Sequence, residues 1–287
     1  MRKVMIVLTI ILIGMLIPVG FSANDNSQAV ITYGETTHTN ADYKNTVDNF
    51  FKNQAGFDLK NVDSKIITAS EVNKISSTIT GKTYSSSQIY SSALVDLNEN
   101  DNLEVSVDKS KITTITGDMY LSALKSAGIT AGHVYVTSPV SATGESALAG
   151  IMNSYEVVTD VEIPDTVKEA ANNEIYTQAE IVKNSDVDAD ELSKLVDDVK
   201  EEVQVNNVTD HTTIVNIINN YTINNNINIT NSDIENLADS IEQIQNVQGD
   251  INSYQTEVSG VFNNTTDQAQ GFLGGLFNEN SPTYSIF

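Results

Sequence analysis

The most constraining feature of this chain is a change of hydrophobic period at Pro164. Upstream, runs with the two-residue alternation of a strand are interleaved with runs spaced at three and four, as in a helix. Downstream, the helical spacing prevails. The division predicts an α+β protein: an N-terminal mixed α/β domain with a small sheet over residues 24–160, then an all-helical C-terminal region over 161–287. No sustained internal repeat runs through the chain.

In the first part, Ala29-Val30-Ile31-Thr32-Tyr33, stopped by Gly34, and Lys65-Ile66-Ile67-Thr68 read as strands. Tyr43, Val47, Phe50 and Phe51 place a helix over residues 40–54, and Val72, Ile75 and Ile79 a short one that Ser70 caps. Residues 89–97 and 103–107 flank Asn98-Glu99-Asn100-Asp101-Asn102. Because Leu103, Val105 and Val107 alternate, this predicts a hairpin with a polar loop. A helix with Met119, Leu121 and Leu124 begins at Thr116 or Asp118 and closes at Gly128. His133-Val134-Tyr135-Val136-Thr137 is the clearest strand, stopped by Pro139, and Leu148, Ile151, Met152 and Tyr155 mark a helix over 144–158.

In the second part, helices are expected at 167–182 and 188–203. The latter carries Leu192, Leu195, Val196, Val199 and Val203 on one stripe and is capped by Asp188. Residues 206–231 hold ten Asn, the strongest composition bias in the chain. Within them Ile214, Val215, Ile217, Ile218 and Tyr221 form a helical patch, and Ile223, Ile227 and Ile229 alternate as an extended piece. Ser232 with Glu235 forms a capping box for a helix through Ile234, Leu237, Ile241 and Ile244. A last helix carries Tyr254, Val258, Val261, Phe262, Phe272, Leu273 and Leu276.

The N-terminus reads as an address. Met1, Arg2 and Lys3 are followed by an uncharged stretch over 4–20, then Gly20-Phe21-Ser22-Ala23 before polar residues. This is the layout of a secretory signal peptide over residues 1–23. A retained anchor is the alternative, since the uncharged stretch is close to spanning length. Either way the body is expected outside the cytoplasm. Loss of Arg2 and Lys3 takes the formal charge from −23 to −25 and leaves no Arg. Such acidity argues against a nucleic-acid partner. The missing Arg, the usual bidentate clamp, argues against phosphoryl transfer. With no Cys there is no disulfide framework, zinc-thiolate site or thiol nucleophile.

Each candidate motif has a plainer reading beside it. Gly81-Lys82-Thr83 has the tail of a phosphate-binding loop, but Ser76 stands where the loop needs Gly, so a turn is expected. Gly144-Glu145-Ser146-Ala147-Leu148 has the strand–turn–helix context of a nucleophile elbow without its final Gly. A serine nucleophile also needs a base, and His38, His133 and His211 are isolated in sequence, so a turn with a Ser or Thr cap is expected. Asp186, Asp188 and Asp190, with Asp197 in twelfth place, are spaced as in a calcium loop, but Glu191 occupies the Gly position. Asp96-Leu97-Asn98-Glu99-Asn100 starts alike with no acidic twelfth residue. Caps and turns are the plain reading of both. With 38 acids, paired carboxylates for glycoside hydrolysis carry no signal. Sequons at Asn207, Asn220, Asn228, Asn263 and Asn264 do not exceed chance in so Asn-rich a chain. The apolar segment 271–277 reads as a final helix buried on its own domain. No catalytic, cofactor-binding or metal-ligating residue is assigned, and no cofactor is expected.

Ile112-Thr113-Thr114-Ile115-Thr116-Gly117-Asp118-Met119-Tyr120, Ala123-Leu124 and Ala127-Gly128-Ile129 form a distinctive series. It continues in Val134-Tyr135-Val136-Thr137-Ser138-Pro139, then Gly144 and Ala147-Leu148-Ala149-Gly150-Ile151-Met152, ending at Tyr155-Glu156. The series resembles the predicted secreted proteins grouped as domain of unknown function 1002. Gln88-Ile89 with Ser91-Ser92 is similar to an earlier element of that family, with Tyr90 in place of its Gly. Asn220-Tyr221, Ile229-Thr230, Ile234 and Leu237 resemble its helical half. The resemblance implies export and a mixed α/β region followed by helices, and carries no activity or site residues.

The expected function is a non-catalytic cell-surface or extracellular binding or structural module with a strongly acidic surface. That surface suits cations, a basic envelope component or a basic protein partner. The rival expectations are an extracytoplasmic hydrolase using Ser146 or paired carboxylates, and a weak calcium-binding module.

Overall fold

The computed structural model describes residues 28–56, 58–97 and 102–264. The expected signal segment, residues 98–101 and residues 271–277 lie outside the described residues. Five strands are formed: β1 (Ala29–Gly34), β2 (Asp63–Ile67), β3 (Ser92–Asp96), β4 (Leu103–Val107) and β5 (Gly132–Thr137). In the first half lie helices α1 (Glu35–Thr39), α2 (Ala41–Ala55), α3 (Ala69–Thr80), α4 (Gly117–Ser126) and α5 (Glu145–Thr159). Helices α6 (Asp165–Asn184), α7 (Ala189–Val205), α8 (His211–Asn225), α9 (Asn231–Asn246) and α10 (Gln248–Asn264) follow. The α+β class expected from the periodicity is the one formed.

The strands make one mixed sheet in the order β2-β1-β3-β5-β4. β1 and β3 are buried at every residue, which is why they read as short apolar runs. β3 pairs antiparallel with β1 and β5, while β2 and β4 run parallel to β1 and β5. The hairpin expected between residues 89–97 and 103–107 is therefore not formed. β5 lies between its two arms, with Val134 opposite Val95 on one side and Val105 on the other. The alternation in β4 specifies which face is buried and leaves the neighbour open. β5, with Val134, Val136 and Thr137 buried, gains a ladder on each side in this arrangement.

Two layers of helix cover the sheet. On one face Val47 and Phe51 of α2 pack against Ile31, Tyr33 and Leu94; burying side chains of this size is worth about 1.5–3 kcal/mol each. Asn40 starts α2 by accepting the N–H groups of Asp42 and Tyr43. On the other face α5 lies close to β1. Thr32 Oγ1 donates to the Gly150 carbonyl at 3.0 Å and shares a 2.6 Å hydrogen bond with Ser154. A Cβ on Gly150 would stand 2.9 Å from Thr32 Cγ2, so the approach needs glycine. Beside α5, α4 buries Met119, Tyr120, Ala123 and Leu124.

Several helix ends differ from expectation. α3 is capped by Thr68 in a reciprocal box with Glu71, not by Ser70. α9 is capped by Thr230 with Asp233, not by Ser232 with Glu235. In each case an equivalent cap two residues earlier lengthens the helix by half a turn. α5 has no Ser or Thr cap: Gly144 holds the position at φ 108°. Its carbonyl accepts from the buried Tyr120 hydroxyl at 2.6 Å, so the turn is shaped by a buried aromatic. Ile223 belongs to α8 and is 73% exposed, whereas Ile227 and Ile229 pack on the helical cluster.

α6 ties the two halves together. Val167, Ala170, Ala171, Ile175, Tyr176 and Ala179 join the core beneath the sheet. Ile181, two residues on, joins the cluster built by α7, α8 and α9. α10 then returns Ile251, Tyr254 and Val258 to the first core. The core beneath the sheet thus extends through the α5–α6 turn at 160–164 into α6, and a second apolar cluster fills the α7–α9 bundle.

Candidate functional site

The parallel register of β4 and β5 puts Glu104 opposite His133 and Ser106 opposite Tyr135. Asp96 of β3 lies opposite His133 on its other side. The two-residue period sends all five to the sheet face covered in part by α2, and Val134 and Val136 to the α5 face. The result is a polar ledge. The His133 ring stacks on Tyr135 with centroids 4.0 Å apart. Its Nε2 stands 2.8 Å from Ser106 Oγ, and its Nδ1 is 3.1 Å from the Tyr135 hydroxyl and 3.8 Å from a Glu104 carboxylate oxygen. Burial lowers the His133 pKa, against the opposing pull of Glu104 and Asp96, so the ring is neutral near pH 7.

A proton on Nδ1 lets Nε2 accept from Ser106, which is the hydrogen bond a general base makes to a serine nucleophile. A proton on Nε2 makes Ser106 an acceptor and leaves it inactive. Acyl transfer also needs N–H donors for an oxyanion. The neighbouring N–H groups of β5 are shared between ladders to β3 and β4. The ledge is therefore a hydrogen-bonded surface with one ingredient of catalysis.

In sequence, His133 is a candidate base for Ser146. The structure separates them: Ser146 opens α5 on one side of the sheet, and His133 projects from the other. Ser106 was missed for the same reason as the strand order. Its closeness to His133 follows only once β4 is laid beside β5.

A second cluster is buried where α4, α6 and α7 meet. Glu174 is wholly buried and Lys200 partly so, with their charged groups 2.8 Å apart. The Lys200 ammonium also donates to Ser122 Oγ at 2.7 Å and Ser126 Oγ at 3.0 Å, and lies 3.2 Å from Asp197. Both serine hydroxyls donate to Glu174. Ser122 beside Lys200 has the composition of a nucleophile–base pair. Ser122 is fully buried and Glu174 holds the ammonium, so the chemistry available is an α6–α7 charge pair that locks α4 in place through its two serines.

A surface cleft of about 140 Å³ lies between α3, α5 and α6, lined among others by Glu71, Lys74, Glu156, Asp165, Lys168 and Glu169. Its two lysines are paired. Lys168 meets Glu156 at 2.8 Å and Asp165 at 3.4 Å, and Lys74 meets Asp165 at 2.9 Å. Burial pulls the Lys168 pKa down, but the Glu156 hydrogen bond and charge, helped by Asp165, leave it raised. The Lys74 hydrogen bond holds the Asp165 carboxyl below its usual range, opposite to what a general acid in glycoside hydrolysis needs.

The remaining motifs take plain roles. Gly81 ends α3 in the left-handed conformation at φ 69°, and Lys82 pairs with Glu180. The spacing of Asp186, Asp188, Asp190 and Asp197 does not build a calcium loop. Asp188 caps α7, and Asp190 and Asp197 ride within it. Asp96 is a buried β3 residue. His38 ends α1, and His211 opens α8 facing α9. No helix among the described residues is long and apolar enough to cross a membrane.

The molecule is thus an α+β protein in which a five-stranded mixed sheet and a helical bundle are joined by α6, with a buried ion pair between α6 and α7. The chain belongs to the family described as protein of unknown function DUF1002, whose model matches residues 33–261. It is similar to "Uncharacterized protein YpuA" of Bacillus subtilis (strain 168), with 33% identity over 161 residues. That match spans 55% of each chain, so the chain covers about half the length of this relative. No solved structure matches it.

Proposed function

We propose that the protein is exported and works outside the cytoplasm as a non-catalytic binding module, taking polycationic partners on its helical half. The observation that carries this reading is a charge imbalance. Residues 186–257 hold fifteen carboxylates and two lysines, Lys194 and Lys200. None of the fifteen acids is buried. Lys200 is turned inward to Glu174, and Lys194 is already paired with Asp198 at 2.8 Å. α8, α9 and α10 carry no Lys or Arg at all. A surface so uniformly negative steers cations toward it, raises their local concentration and repels anionic polymers.

Export is supported by the Arg2-Lys3 n-region and the uncharged stretch 4–20 that follows it. The partner is expected to be a basic protein or a basic envelope polymer. Fluorescence anisotropy of a labelled oligolysine peptide, titrated with the exported chain, tests the binding reading. Binding is expected, and changing Glu191, Glu201, Asp250 and Glu257 together to their amides should weaken it at least about tenfold. Equal binding by that variant, or no binding at low salt, would contradict it. Intact mass of the protein recovered outside the cell tests the export reading.

A further inference from the structure

The α8–α9 hairpin holds a second feature, independent of the polycation reading. His211, at the start of α8, faces the stripe of α9 that carries Glu235, Asp239 and Glu242. Its Nε2 lies 2.9 Å from Asp239 Oδ1 and 3.7 Å from Glu235 Oε2. One donor atom each of His211, Asp239 and Glu242 falls within 4.8 Å of the others. The contact with Asp239 is close, yet Nε2 makes no hydrogen bond and is shut off from solvent. A ligating nitrogen aimed at carboxylates without hydrogen-bond geometry is what a site arranged around a cation presents.

The charge pattern points the same way. Glu235, Asp239 and Glu242 stand at i, i+4 and i+7, where like charges repel along a helix. Neither α8 nor α9 contains a Lys or Arg to offset them. We propose that His211, Asp239 and Glu242, with Glu235 beside them, bind one divalent transition-metal ion, with zinc the best fit. Zinc takes imidazole nitrogen and carboxylate oxygen at about 2.0–2.2 Å, so its ligand atoms stand no more than about 4.4 Å apart. Rotation of the exposed Asp239 and half-exposed Glu242 side chains closes the remaining gap. Calcium prefers a larger set of oxygen ligands, and the nitrogen donor selects against it.

Zinc chloride titrated calorimetrically into the exported chain, freed of metal by a chelator, is the test. One ion per chain is expected, with Tm rising as zinc is added. His211→Gln and Asp239→Asn should each weaken binding at least about tenfold. His38→Gln, at an exposed histidine elsewhere, should leave it unchanged. Far-UV circular dichroism checks that the variants fold; should His211→Gln alter the fold, the exposed Asp239→Asn decides. No heat up to millimolar zinc, or undiminished affinity in the folded variants, would overturn the proposal. The oligolysine titration reads a different surface property, so either reading can fail without the other.

Discussion

Lys200 shows how a single residue is committed by its surroundings. Its ammonium is the only cation paired with the fully buried Glu174 among the described residues, and it also meets Ser122, Ser126 and Asp197. Removing one partner of a buried pair strands the other charge. Lys200→Met should therefore destabilise the fold by about 3–5 kcal/mol. Adding Glu174→Gln to that variant should recover part of the loss, because a neutral amide is cheaper to bury. Urea unfolding midpoints measure both; an unchanged midpoint in Lys200→Met would contradict the pairing. Nothing in the sequence singles out Lys200, since its partners lie on α4 and α6 and become neighbours only once those helices pack beside α7.

His133 gives a residue-scale prediction about pH. Burial lowers its folded pKa below the ordinary 6.5. The unfolded chain therefore binds more protons in that range, so stability rises with pH. The contribution is complete above pH 6.5 and is lost as pH falls through the folded pKa. Thermal unfolding between neutral pH and about pH 5 should show a loss of Tm that is smaller in His133→Gln. An equal loss in both proteins would place the titrating group elsewhere.

At the scale of elements, periodicity made most of the fold legible. The stripe Leu192, Leu195, Val196, Val199 and Val203 is buried along α7 as expected, and Val47 and Phe51 anchor α2. Strand pairing was not legible. Alternation in β4 tells which side faces the core, and that side is the same beside β3 or β5. The candidate ledge was hidden with it, since Ser106 meets His133 only across the β4–β5 ladder. Cap positions slipped by two residues because Thr230 with Asp233 and Ser232 with Glu235 are both valid boxes, and helix length decided between them.

The fit of α5 on β1 is testable at the same scale. Gly150→Leu forces side-chain atoms into Thr32 and should cost at least about 1–3 kcal/mol. Gly249 in α10 has open space around its missing Cβ, so Gly249→Ala should stabilise the fold by about 0.5–1 kcal/mol. Urea midpoints moving in opposite directions support the packing described. A neutral Gly150→Leu would mean that α5 sits farther from the sheet.

At the scale of the whole molecule, fold and charge are distributed differently. The interior is two apolar clusters, both reached by α6, with α10 packed on the one beneath the sheet. The surface charge is lopsided: thirteen of the chain's fourteen lysines lie in the described residues, but only two follow residue 185. A strong excess of one sign over the helical half has no role in folding, where it is a cost through self-repulsion. The role proposed for it is recognition of a cation-rich partner. The measurement that reaches this claim most directly is the affinity of the exported chain for oligolysine over a salt series. The account predicts that log K falls linearly and steeply with log salt, with the slope reduced when the helical-half carboxylates are amidated. Affinity that is independent of salt, or a slope that amidation leaves unchanged, would contradict it.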